Sequence, residues 1–223
     1  MILFIFLIFF STTNASLIQP HNLDTLSKIH VLFEWEQEPN ALGYNFKIST
    51  DEFFNDIILD TNIYNIVYIN KDNLEWDNEY YWKVKPIFED NVFGDWIGQN
   101  SFCISNKVYQ IDLIQSNVNN GNDLIIFGDT YRKKSAVFDK NGKEIWNASD
   151  NSSFSVQNID DYGLLFGHRH HNDESETYST FNFNNSTLWE TPHLLPYEIN
   201  WHEFKLLPNG NYVFFVKEIQ YGP

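Results

Sequence analysis

The segment Ala136–Trp146, AVFDKNGKEIW, returns 43 positions later as Ser179–Trp189, STFNFNNSTLW. Phe138 falls on Phe181, Asp139 on Asn182, Ile145 on Leu188 and Trp146 on Trp189, and the turn Asn141-Gly142 falls on Asn184-Asn185. A second element occurs three times, as Asn119–Gly128, Ile159–Gly167 and Leu207–Val216, each a polar turn running into an apolar strand. Together they spell out one unit: a leading strand, a polar turn, an apolar strand, a loop, a strand ending in Asp or Asn, an Asn/Gly turn and a strand ending in Trp. Four antiparallel strands repeated at this spacing are the pattern of a β-propeller blade, a sheet that buries its faces by stacking on its neighbours. Residues 106–223 hold two full units and half of a third. A closed propeller takes about four to eight blades, so the sequence predicts the first two to three blades of an incomplete propeller, the front of a longer protein.

Residues 16–105 read differently. Short aromatic strands (HVLFEW, YNFKIST, IVYI, EYYWKVKPIF, IGQNSFCI) are separated by acidic or glycine turns, which is the pattern of a small β-sandwich. Phe33 and Trp35 share one strand face, and Tyr80 holds the place of a tyrosine corner ahead of an alternating strand. With the GDWIG stretch, Gly94–Gly98, before the last strand, this segment resembles a fibronectin type III (immunoglobulin-like) domain. The resemblance implies a spacer, and no site is expected on it. The chain is thus predicted to be all-β, with an N-terminal β-sandwich at 16–105 and a partial propeller at 106–223.

Ahead of the sandwich, residues 1–15 combine an apolar run, Ile2–Phe10, with small polar residues and a Thr13-Asn14-Ala15 cleavage pattern. That is the composition of a signal peptide, and the run is too short to span a membrane comfortably. A secreted or periplasmic protein is expected. The single cysteine, Cys103, allows no internal disulfide and no CxxC site. A net charge of −16, with only 14 Lys plus Arg, excludes nucleic acid as a partner, because binding phosphates needs a basic stripe. Sequons at Asn147, Asn151, Asn184 and Asn185 fall in an Asn-rich composition that produces them by chance.

The repeat supplies a control for reading histidines. Aligning Pro208-Asn209 with Asp160-Asp161 puts His202 over Phe154, so this histidine is specific to its unit. It is predicted to lie where a leading strand begins, at one rim of the propeller channel. The stretch GHRHHNDESET is predicted to be the loop between the second and third strands, returning to the same rim with His168, Arg169, His170 and His171. Histidine exchanges protons near neutral pH or takes a group covalently, and arginine grips tetrahedral oxyanions with a two-pronged fork. The set suits phosphoryl or sulfuryl chemistry, with His168, Arg169 and His170 as candidates for substrate binding. The plainer readings are a solvated polar loop for 168–171 and a packed rim residue for His202. His168 and His170 offer two imidazoles at i, i+2, but with no third ligand identifiable no metal site is expected. Trp146 and Trp189 read as packing between blades, and Asp139, Asn182 and the Asn-Gly pairs as turn chemistry.

The stretches DKNGKEIW and WHEFKLLPNGNYVFF resemble the aryl-sulfate sulfotransferase family, whose blades carry a D-x-x-G-x-x-x-W hairpin and a His-(His/Asp/Glu)-hydrophobic strand leading into L-P-N-G-N. Asp139, Gly142 and Trp146 match the first; His202, Glu203, Leu207, Pro208, Asn209, Gly210 and Asn211 match the second. The resemblance implies an enzyme that moves a sulfuryl group from a phenolic sulfate donor to a phenol acceptor through a sulfated histidine, with no cofactor. It implies that His202 binds substrate or transfers a proton, that the nucleophile lies beyond residue 223, and that the fragment alone is inactive. Where the family often shows two adjacent histidines, this chain has Trp201-His202. The alternative is a non-catalytic secreted propeller whose face binds a glycan or a protein.

Overall fold

The computed structural model describes residues 15–108, 124–129, 134–148, 153–159, 165–170, 176–191 and 198–217. The predicted signal peptide therefore lies, apart from Ala15, outside the described residues. The chain divides into two compact units. The first comprises the residues up to Asp24 with Val31–Asn73 and Glu79–Phe102; the second comprises Thr25–His30, Leu74–Asn78 and Cys103–Pro223.

Two sheets hold the strands between residues 17 and 104. Strands β1 (Leu17–Gln19), β3 (Val31–Trp35) and β6 (Val67–Asn70) form one, in the order β1-β3-β6. Strands β2 (Asp24–Leu26), β4 (Gly43–Ser49), β5 (Ile57–Ile63), β7 (Asn78–Ile87) and β8 (Gly98–Ile104) form the other, in the order β2-β8-β7-β4-β5. Val31, Phe33 and Trp35 of β3 and Tyr80, Trp82 and Val84 of β7 are buried, because the strand period of two sends every second side chain to the same face. Phe33 stands edge-on to Phe46 at 4.9 Å, to Trp82 at 5.2 Å and to Phe102 at 5.7 Å. Such pairs contribute about 0.5–1.5 kcal/mol each beyond the area they bury, so interlocking rings close this core. Tyr80 is buried at the start of β7.

The second unit follows the sequence repeat. Strands β9 (Ile125–Asp129), β10 (Lys134–Phe138) and β11 (Glu144–Asn147) make one sheet; β12 (Ser153–Ile159), β13 (Leu165–His170), β14 (Glu176–Phe181) and β15 (Thr187–Glu190) make a second; β16 (Glu198–Leu206) and β17 (Tyr212–Lys217) make a third. In each, strands that follow one another in sequence are hydrogen-bonded neighbours. The leading strand predicted ahead of β9 falls outside the described residues. β12 lies against β9 and β10, and β16 lies against β13 and β14, so each sheet packs on the one before it.

The repeated hairpin is the same object twice, down to its hydrogen bonds. Asp139 N donates to Lys143 O at 2.9 Å and Gly142 N to Asp139 O at 3.0 Å; in the second copy Asn182 N donates to Ser186 O at 3.2 Å and Asn185 N to Asn182 O at 2.9 Å. The Asp139 Oδ1 accepts from the backbone N–H of Asn141 and of Lys143, both at 2.8 Å. Asn182 Oδ1 does the same for Asn184 at 2.9 Å and Ser186 at 3.1 Å. Even the register slip recurs, between Val137 and Phe138 and between Thr180 and Phe181. The last turn position takes φ +80 at Gly142 and +59 at Asn185, a left-handed conformation that glycine adopts freely and asparagine tolerates. Two equivalent backbone bonds close the β16–β17 turn, Leu207 N to Asn211 O at 2.8 Å and Gly210 N to Leu207 O at 2.9 Å. The tryptophan ending each hairpin packs on the following sheet: Trp146 stacks with Phe181 at 6.0 Å, and Trp189 with Tyr212 at 4.1 Å.

The free edge of β11 is covered from far away in sequence. Ile29 N donates to Ile145 O at 3.0 Å, Asn147 N donates to Ser27 O at 2.9 Å, and Lys28 is bridged antiparallel to Trp146. Trp76 adds its indole N–H to Glu144 O at 2.8 Å. An uncovered edge would leave a row of unpaired backbone groups open to other chains.

Candidate functional site

His202 lies on β16, ahead of the Pro208-Asn209-Gly210 turn. Pairing with β17 is regular at Glu198↔Lys217 and Ile199↔Val216, and again from Phe204↔Phe214 to Leu206↔Tyr212, but β16 carries extra residues between Ile199 and Phe204. His202 therefore sits inside a bulged stretch, where the ladder is interrupted and the strand bends. β12 is irregular in the corresponding place, between Phe154 and Asn158, so Phe154, the residue over His202 in the repeat, borders a bulge of its own. Bulges of this kind re-aim side chains at sheet rims and beside active sites.

The second group of candidates is placed differently from expectation. His168, Arg169 and His170 are the last residues of strand β13, not loop residues. His168 is opposite Phe154 on one side and Tyr178 on the other, Arg169 is opposite Ser153 and Thr177, and His170 is opposite Glu176. The physical reason is pairing on both flanks: aromatic and β-branched partners favour extended backbone whatever the polarity of the residue between them. The three are consecutive residues of one strand. β16 lies against β13 and β14, which makes the strands bearing His202 and His168–His170 neighbours. His171 lies outside the described residues. Among the described residues, no group of three His, Cys, Asp or Glu is arranged to hold a metal ion.

Two polar sites escaped the sequence reading. Glu144 and Asn147 on β11 are 3% and 0% exposed; Glu144 Oε1 accepts from Asn147 Nδ2 at 2.7 Å and from Val108 N at 3.1 Å, and Asn147 Nδ2 also donates to Asn106 O at 3.1 Å. The Asn147 sequon is thus engaged inside the fold, whereas Asn184 is exposed and its Oδ1 accepts from Lys28. Burial lowers the pKa of that lysine. The other site is on the sandwich, where none was expected: Lys83 Nζ lies over the rings of Phe54 at 3.6 Å and Trp96 at 4.5 Å, and Lys85 Nζ over Phe93 at 4.2 Å and Trp96 at 4.9 Å. Its signal was present in the sequence as the alternation Trp82-Lys83-Val84-Lys85, which sends both lysines to the face opposite the core.

No protein-family model matches the chain, and no curated protein matches it. Among solved structures, a Fn3-like protein from Clostridium thermocellum is similar at 20% identity with a TM-score of 0.32, covering 44% of this chain and 100% of that one. The described residues define an all-β protein built of several sheets.

Proposed function

We propose that the chain is part of an exported propeller enzyme of the aryl-sulfate sulfotransferase kind, transferring a sulfuryl group from a phenolic sulfate to a phenol. The observation that carries this reading is His202, a histidine specific to its unit, seated in the bulge of β16 just ahead of Leu207-Pro208-Asn209-Gly210-Asn211. Hairpins repeated with the same hydrogen bonds, and tryptophans packed from each sheet onto the next, support reading the sheets as blades. In the reaction a histidine nitrogen attacks sulfur and the S–O bond to the donor breaks, the departing phenolate taking a proton. The acceptor oxygen then attacks the same sulfur, the S–N bond breaks, and the acceptor's proton passes to a base. His202 has the role of proton carrier or sulfate-binding donor, which suits an imidazole titrating near neutral pH. On this reading the nucleophile is another histidine of the propeller, not His202.

The test is transfer from p-nitrophenyl sulfate to phenol by the full-length protein, followed by nitrophenolate release. His202→Ala and His202→Gln should each lower kcat by about 10²–10⁴-fold, the usual worth of a positioned acid–base group. An unchanged rate removes His202 from the mechanism. A full-length protein that transfers nothing returns the chain to the alternative, a binding module.

A further inference from the structure

The outer face of the larger sandwich sheet gathers three lysines that ordinary packing does not explain. Lys47 on β4 is directly opposite Lys83 on β7, and Lys85 follows two residues on. Like charges facing each other across strands oppose folding. Lys47 is neutralised by Asp60 on β5, at 2.8 Å. Among the described residues, no carboxylate forms an ion pair with Lys83 or Lys85, although the Lys85 charge also acts on Asp60; their ammonium groups rest on aromatic rings, both of them on Trp96. Burial, together with the charges of Lys47 and Lys85, lowers the pKa of Lys83. This concentration of positive charge runs against a chain of net charge −16.

The rings are held there by specific devices. Ile97 N donates to Val84 O at 2.9 Å and Gly94 N to Pro86 O at 3.0 Å, so the segment carrying Phe93 and Trp96 runs beside β7. Gly94 is required by that close approach, since a Cβ would meet Phe88 Cε2 and Pro86 Cγ at 2.8 Å. On the other side Phe54 is fixed at φ +59, a conformation rare for an aromatic residue and of the kind found where function over-determines the backbone. Phe93 and Trp96 remain 49% and 39% exposed.

We propose that this face of the sandwich binds an acidic polysaccharide, with Lys83 and Lys85 meeting its oxyanions and Trp96 and Phe93 meeting its sugar rings. Charge complementarity selects an anion. The cations stand on β4 and β7, strands that have a hydrogen-bonded neighbour on both sides, so strand addition by an acidic peptide has no free edge to pair with there. A polysaccharide needs only side chains: point charges for sulfate or carboxylate, and apolar ring faces for its C–H faces. Its rigid rings also lose less freedom on binding than a peptide would. The inference concerns the sandwich alone and does not depend on His202.

Titration calorimetry of the full chain with heparin, polygalacturonate, dextran and poly-L-glutamate tests it. Heparin or polygalacturonate should bind, dextran should not, and raising the salt should weaken binding; which of the two binds more tightly assigns sulfate or carboxylate. Lys83→Gln and Lys85→Gln should each weaken binding by about tenfold, Lys83→Arg and Lys85→Arg should retain it, and Trp96→Ala should weaken it while the melting profile holds. Equal binding of dextran, equal or tighter binding of poly-L-glutamate, or no binding of either acidic polysaccharide overturns the proposal.

Discussion

Phe54 keeps its left-handed backbone because Asp51 organises the turn around it. Asp51 Oδ2 accepts from Asp56 N at 2.7 Å and from Ser49 Oγ at 3.1 Å, while Oδ1 accepts from Phe53 N at 3.0 Å and from Asn55 Nδ2 at 3.2 Å. The bond from Asp56 N–H is the main reason the Asp51 pKa falls below the usual carboxylate range. A pKa lowered in the folded state means that the unfolded chain holds the proton more tightly. The stabilisation is therefore complete above the ordinary carboxylate pKa and is lost as pH falls through the lowered one. Protection of the amides of residues 52–56, measured against the unfolded-chain exchange rate at each pH, should be high at neutral pH and fall in that acid window, whereas Asp51→Asn should show low protection throughout. A different economy governs Trp82, whose indole N–H is buried without a hydrogen-bond partner among the described residues. Trp82→Phe removes that orphan donor along with part of a ring, so denaturant titration should show a cost of about 1–2 kcal/mol, well under the roughly 3–5 kcal/mol of an aromatic-to-alanine change.

At the scale of elements, the hairpin β10–β11 and its copy β14–β15 were legible in advance because everything that shapes them is local: Asp139 or Asn182 accepts bonds from its own turn. Gly210, ending the β16–β17 turn at φ +81, has open space where a Cβ would go. Gly210→Ala should therefore cost only the left-handed strain, about 1 kcal/mol, measurable as a lowered unfolding midpoint with an unchanged denaturant slope. β13 was illegible for the opposite reason. His168, Arg169 and His170 look like loop residues by type, and only their partners Ser153, Phe154, Thr177 and Tyr178, brought in by pairing rather than by neighbourhood, make them a strand. The bulge around His202 is likewise a property of two strands together. From β16 alone, the sequence placed the histidine where the strand begins, whereas it lies midway along Glu198–Leu206, in an interrupted ladder.

For the whole molecule, alternation and aromatic spacing were enough to predict the sandwich, since Phe33, Trp35 and Trp82 point inward by period alone. The lysine face was readable from the same alternation and went unread because a spacer was expected there. What no local pattern carries is the membership of 25–30 and 74–78 in the second unit. Expressed without them, residues 106–223 should expose the β11 edge and associate, with light scattering rising with concentration, while the full chain stays dispersed. The consequence reaches beyond stability to inheritance. A module joined to its neighbour by a single linker can be shuffled between genes by one cut. Here the strip Ser27–Ile29 is stitched into the hem of another sheet, so a recombination at the apparent boundary would tear the seam, and the two parts are bound to travel, and to diverge, as one.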